Sequence, residues 1–139
     1  MKKLKVTKKH IRLPKKAKTI ISSDGIAGFF TRGKLIAKLA DQRKPIPHRK
    51  IINFDSAEEM LSVLTKARRH LMMVIRGGAE SLSEICHQTH RDRAAVAKDV
   101  KLLEHYGLVT VNEEINPGHG HHKIVHPISR YPIHLETTI

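Results

Sequence analysis

"RDRAAVAKDVKLLEHYGLV", residues 91–109, is the stretch on which the fold turns. Asp92 stands where an N-cap belongs and Gly107 follows the last periodic residue, so the segment reads as a helix over 92–106 with a left-handed stop. On a helical wheel Val96, Val100 and Leu103 gather on one side, the side that packs against other helices. The opposite side carries Ala94, Ala97, Lys98, Lys101 and His105, with Arg93 in the first turn and Arg91 just before it. Alanines keep that surface low enough to enter a groove about 12 Å wide, and Arg93 and Lys98 are long enough to reach base edges or phosphates. A plain solvated surface helix would show the same face. Asp99 falls at the core edge of the wheel, and is expected to pair with Arg68 or Arg69 and so orient the helix.

The flanking segments decide between those two readings. Ser81-Leu82-Ser83-Glu84 has the spacing of a capping box and opens a short helix through about Gln88. A turn at Thr89 to Arg91 follows, which makes a helix-turn-helix with the 92–106 segment as its second, reading helix. Further upstream Ser56-Ala57-Glu58-Glu59 is another capping box, with Met60, Leu61 and Leu64 expected to face inward. Thr65 caps a piece carrying Leu71, Met72, Val74 and Ile75, which Gly77-Gly78 ends. Downstream, "LVTV" (108–111) alternates as a strand, "NEEINPGHG" (112–120) is a turn-rich loop, "HHKIVHPI" (121–128) returns, and "YPIHLETTI" (131–139) supplies a third strand. The hairpin reads as a wing over 112–122. His119, His121, His122 and Lys123 then lie where they meet phosphate, and binding should tighten at pH 6 relative to pH 8 as the imidazoles gain charge.

Charge supplies the partner. Residues 1–50 hold 16 Lys and Arg against 2 acids, whereas residues 51–139 hold 10 against 11, so the whole net charge of +13 sits in the first third. A basic arm on a balanced body suits a polyanion such as nucleic acid; a solvated tail is the bland alternative. Residues 1–23 read as that arm. Lys2, Lys3, Lys8, Lys9, Arg12, Lys15 and Lys16 crowd it, no acid precedes Asp24, and Pro14 interrupts it. It lacks interleaved aromatics for base stacking, which argues against single-stranded RNA. No apolar run suits a bilayer or a signal peptide, and one cysteine forms no internal disulfide, so a cytoplasmic, nucleoid-associated protein is expected.

Residues 24–50 read as a helix and linker. Ile26, Phe29, Phe30, Ile36 and Leu39 recur near helical spacing, and Pro45 and Pro47 end the helix. These apolar residues need burial, either in a homodimer or as a lid on the chain's own core. "KIINF" (50–54) suits a short strand, and residues 51–139 form the remaining domain.

The pattern "FDSAEEMLSVLTKARRHLMMVI … SLSEICHQTHRDRAAVAKDVKLLEHYGLV" resembles predicted prokaryotic transcriptional regulators of the MarR-like winged-helix type. Asp92, Val96, Asp99-Val100, Leu103 and Gly107-Leu108-Val109 carry the resemblance most clearly, and it covers about Phe29 to the C-terminus. The upstream "FFTRGKLIAKLADQRKPIP" is similar to the segment that precedes the domain in some members. Cys86 and His87 stand where a small or aliphatic pair is usual, the wing is longer and His-rich, and the 1–23 arm has no counterpart. The resemblance implies an α+β winged helix-turn-helix with an added N-terminal helix and arm. It also implies double-stranded DNA binding without catalysis, and frequent homodimers on inverted repeats. Some such proteins are presumed antitoxins beside a toxin gene.

Other chemistry finds little support. "HGHH" (119–122) with His126 lacks a Cys or carboxylate at a metal-ligand spacing, so no metal and no cofactor are expected. Cys86 beside Ile85 reads as a small buried hydrophobe rather than a redox sensor. "GIAGFF" (25–30) is discounted as a nucleotide fingerprint because no strand is expected before it in a βαβ unit. The expected function is a sequence-specific DNA-binding regulator, a dimeric repressor. The alternative is an antitoxin-like protein that binds a toxin and autoregulates its operon.

Overall fold

The structure, a computed structural model, describes residues 18–47, 49–118 and 120–138. The elements run β1 (Lys18–Ser22), α1 (Gly25–Asp41), β2 (Arg49–Asn53), α2 (Ala57–Val63), α3 (Lys66–Ile75), β3 (Glu80–Ser81), α4 (Leu82–Thr89), α5 (Arg93–His105), β4 (Val109–Asn116), β5 (Gly120–Pro127) and β6 (Ile133–Glu136).

Local signals start the last four helices. Ser56 Oγ accepts from the Glu59 N–H (3.1 Å), Thr65 Oγ1 from Arg68 (3.3 Å), Ser81 Oγ from Glu84 (3.1 Å) and Asp92 Oδ2 from Ala95 (3.3 Å). Each such cap contributes about 1 kcal/mol. Neither capping box closes in the reciprocal way its spacing suggests. Glu59 accepts instead from the N–H of Asp55, and Glu84 from the side chain of Gln88. Gly107 ends α5 at φ +74°, the left-handed conformation in which a Cβ would be strained.

One core joins these helices to the hairpin. Leu71 and Ile75 of α3, Ile85 of α4, and Val96 and Leu103 of α5 are fully buried with Leu108, Val109 and Val125. Phe54, Met60, Val63 and Leu64 extend this core toward the N-terminal half. Leu61, expected inside, is exposed: the inward positions of α2 fall at 60 and 63, and residue 61 points about 100° away from 60. The sheet β3-β5-β4 is antiparallel, with Val111 opposite Val125 and Asn116 opposite Gly120. With α4 and α5 it makes a winged helix-turn-helix. The loop expected over 112–120 is therefore mostly strand, and the connection narrows to residues 117–119.

A second sheet changes the expected organisation. β1 lies between β2 and β6 and pairs parallel with both, Ile21 opposite Ile52 on one side and Leu135 on the other. Residues 18–23 therefore do not belong to an arm: Thr19, Ile20, Ile21 and Ser22 are buried, and Ile21 joins the main core. A boundary at 50/51 would cut through β2, and β6 ties the C-terminal segment to β1. Residues 1–17 lie outside the described part, and with them Lys2, Lys3, Lys8, Lys9, Arg12, Lys15 and Lys16.

The β1–α1–β2 connection is a βαβ unit, so a strand does precede "GIAGFF". The segment still does not make a phosphate cradle of the dinucleotide type. Its glycines do not follow the G-x-G-x-x-G spacing, and the Asp24 carboxylate lies over Gly28 and pairs with Arg32 at the start of α1. Gly25, at φ +62°, brings its backbone against Asp55, where Asn53 also holds it.

α1 does not act as a lid. Ile26, Phe29 and Phe30 are each at least 60% exposed, and Ile36 is exposed as well. Leu39 is half-buried and lies on the side of the helix shared with Leu35, which faces Pro47 and Ile51. Among the described residues no helix is long and apolar enough to cross a membrane.

Candidate nucleic-acid interface

The turn between α4 and α5 is built by one left-handed residue. His90 has φ +55°, and the N–H of Arg91 returns to the carbonyl of Cys86 (3.2 Å). This aims α5 across α4, and Leu82, Ile85, Val96 and Val100 bury the contact. The outer face of α5 then carries Arg93, Ala94, Lys98 and Lys101 toward solvent. Glu104 and His105 share the exposed surface at the far end, so the cationic part is the N-terminal half of the helix.

Ala97 differs from expectation in part. It is half-buried and packs against the core, because it sits one residue from Val96 and turns its methyl toward α4's side of the helix. Cys86 is likewise half-buried against the core, as a small hydrophobe would be.

Arg91 is the larger correction. Its guanidinium pairs with Asp99 at 2.7 Å, and Arg68 Nε approaches the other oxygen of the same carboxylate at 3.0 Å. Asp99 is buried, so two cations from different elements converge on one anion within the scaffold. The expected Arg68–Asp99 pair is present. Arg69 takes another partner, donating to the carbonyl of Leu64 (2.6 Å). Arg68 also donates to the carbonyls of Ser62 and Val63, which locks the α2–α3 corner to the reader helix. Arg91 thus orients α5 and is not a free cation on its face. Pairing it with an acid eight residues on required the fold, so the wheel alone placed it wrongly.

Arg93 keeps its place on the outer face but not its freedom. Its guanidinium donates to Ser83 Oγ at the start of α4 (3.0 Å). Ser83 is a residue that sequence reasoning missed, although it lies inside the capping box already noted. The bond pre-orients Arg93 along the two helix N-termini.

The wing carries both signs. Lys123 stands opposite Glu113, His121 opposite Ile115 and His122 opposite Glu114, with His122 Nε2 3.5 Å from the carboxylate. Glu113 and Glu114, read earlier as loop residues, therefore lie beside the very side chains expected to meet phosphate. His121 and Lys123 are exposed, whereas His122 is only half-exposed. His119 lies outside the described residues. Asn112 and His126 are bonded across the hairpin at 3.1 Å, and no cluster of metal-ligating side chains occurs among the described residues.

At the far end of α5, Tyr106 stacks on Phe54 (5.1 Å between centroids) and donates its hydroxyl to Glu59 (3.1 Å). The carboxylate as acceptor, together with desolvation, holds the phenol above its ordinary pKa. This contact fixes the C-terminal end of the reader helix against α2, as the Asp99 pairs fix its middle.

A protein-family model described as HVO_A0114 matches residues 63–131, the stretch from the end of α2 to the residues before β6. No curated protein matches the chain. Among solved structures, a possible transcriptional regulator from Methanosarcina mazei Go1 matches at 20% identity and a TM-score of 0.44, over 48% of this chain and 58% of that one. A MarR-like transcriptional regulator from Thermotoga maritima matches at 17% identity and a TM-score of 0.39, over 73% of this chain and 64% of that one. The chain covers less than two thirds of the length of either.

Proposed function

We propose that the protein is a double-stranded DNA-binding transcriptional regulator that reads the major groove with α5. One observation carries this reading. The N-terminal half of α5 projects Arg93, Ala94, Lys98 and Lys101 with no described segment over it, while its opposite face is anchored in the core by Val96, Val100 and Leu103. A rigidly held helix with small residues between long cations is what entry into a groove requires. Ala97 contributes the rim of that face rather than its centre. Arg91 acts through Asp99 by orienting the helix.

His121 and Lys123 of the wing reach the flanking backbone. Lys2, Lys3, Lys8, Lys9, Arg12, Lys15 and Lys16 add sequence-independent phosphate contacts. The functional unit is a homodimeric repressor joined through Ile26, Phe29, Phe30 and Ile36 of α1. These residues, with Gly33 and Ala37, form one stripe along the helix and present it to solvent. In the antitoxin reading the same stripe covers a toxin instead. The isolated chain's mass in solution separates the two: a dimer supports the repressor, and a monomer that co-purifies with a second chain supports the antitoxin.

Selection of bound duplexes from a random pool tests the proposal. A consensus should emerge for the full chain. Arg93→Ala should lose preference at one position by about 1–3 kcal/mol, and removal of residues 1–17 should weaken all sequences alike and flatten the salt dependence. Recovery of no consensus would overturn sequence-specific reading.

A further inference from the structure

A groove of about 270 Å³ opens between α3 and β6, away from the exposed face of α5. Its floor is apolar and deep, made by Ile21, Leu64 and Ile133, of which Ile21 and Leu64 are fully buried. Met72 forms a wall, and Met73 and Leu135 stand exposed at the mouth. Two side chains in the lining are charged, and both are cations. Arg69 and Arg76 sit seven residues apart, which puts them on one side of the α3 end, flanking the methionines. No carboxylate lines the groove among the described residues.

The geometry points to a small-molecule site here for an amphipathic carboxylate, with its apolar body between Met72 and Ile133 and its carboxylate on Arg69 and Arg76. The chemistry follows from the lining. An apolar floor takes hydrocarbon, and a guanidinium matches a carboxylate in a bidentate fork. Two cations with no acid beside them reject an amine. The volume lies just under the range of roughly 300–1,000 Å³ that drug-sized ligands occupy, so the ligand is a short acyl or small aromatic acid. Methionines at the wall and mouth adapt to either shape.

Occupation of this groove bears on DNA binding, a clause that rests on the function proposed above. Arg69 now holds the Leu64 carbonyl, and its neighbour Arg68 holds Ser62, Val63 and Asp99. A carboxylate that draws Arg69 away loosens the same corner from which Arg68 orients α5. The ligand therefore has different contacts in the two arrangements, which is the condition for shifting their balance.

Calorimetric titration of the full chain with octanoate, octan-1-ol and octylammonium tests the site directly. Octanoate should bind one per chain, octan-1-ol at least about tenfold more weakly, and octylammonium not at all. Arg69→Gln and Arg76→Gln should each weaken octanoate about fivefold or more and leave octan-1-ol binding and the melting temperature unchanged. Leu135→Trp, which fills the mouth, should abolish binding of both. Equal affinities for octanoate and octan-1-ol, no octanoate binding, or full octanoate affinity in the Arg69→Gln/Arg76→Gln variant would overturn the site. DNA affinity measured with and without octanoate reads the coupling. A chain that binds octanoate and no DNA contradicts the regulator reading and leaves the site standing, whereas DNA affinity indifferent to saturating octanoate overturns the coupling.

Discussion

Tyr106 and Glu59 show how single residues hold the reader helix. The phenol is stabilised in its protonated form by donating to the carboxylate, so its pKa lies above the ordinary value near 10 in the folded chain. The sign follows: the bond's contribution is fully present below pH 10 and is lost as pH rises through the raised value. Tyr106→Phe should therefore be less stable than the wild-type chain at pH 8, and the difference should shrink above pH 10, as read by chemical unfolding at both pH values. Asp99 governs the middle of the helix. Asp99→Ala strands Arg68 and Arg91 together, and should cost about 2 kcal/mol, less than the 3–5 kcal/mol of a fully buried pair because water reaches both guanidiniums. A double-mutant cycle on Arg68 and Asp99 should give a coupling energy above about 0.5 kcal/mol.

Legibility at this scale divides by sequence distance. Ser56, Thr65, Ser81 and Asp92 were readable as caps, because a cap's partner lies three residues on. Asp99 was readable as an ion-pair partner because the wheel set it at the core edge. Arg91 and Glu114 were not, since their partners are fixed by the turn at His90 and by hairpin register.

Among the elements, α1 is the one whose form was foreseen and whose surroundings were not. Its apolar spacing predicts a helix and a need for burial, yet Phe29 and Phe30 remain exposed, edge to face at 5.6 Å. Such a stripe is tolerated only where something covers it. Phe30→Asp should convert a dimer to a monomer in sedimentation equilibrium without lowering the unfolding temperature of the winged part, because Phe30 contributes nothing to the core. A dimer unaffected by this substitution would move the interface elsewhere. The hairpin teaches a different lesson. "NEEIN" reads as loop from its polar composition, but each residue gains a cross-strand partner, and strand identity comes from pairing with 120–124 rather than from intrinsic preference.

At the scale of the whole molecule, the parallel sheet was the part least visible in sequence. β1 and β6 are more than 110 residues apart, and neither is long enough to announce itself by alternation. Lys18 continues the run of cations that marks the arm, so the strand was absorbed into it. The sheet joins the two ends of the chain to one core through Ile21 and Ile133. Two consequences follow. Amides of β1 and α5 should share one opening free energy in native-state hydrogen exchange, and separate values would mean two independent units. Removal of residues 131–139 should also destabilise the winged part by at least about 1–2 kcal/mol, the order expected for losing one Ile from a core and uncovering Ile21.

The account's central claim is that α5, oriented by Asp99 and flanked by the hairpin, enters DNA. Amide chemical-shift mapping of the full chain on titration with a selected duplex measures this most directly. Perturbations should concentrate at residues 93–101 and at 121–123, and leave the Asp99 and Arg91 pair in place. Perturbations confined to the α1 stripe or to the parallel sheet, with α5 unmoved, would contradict it.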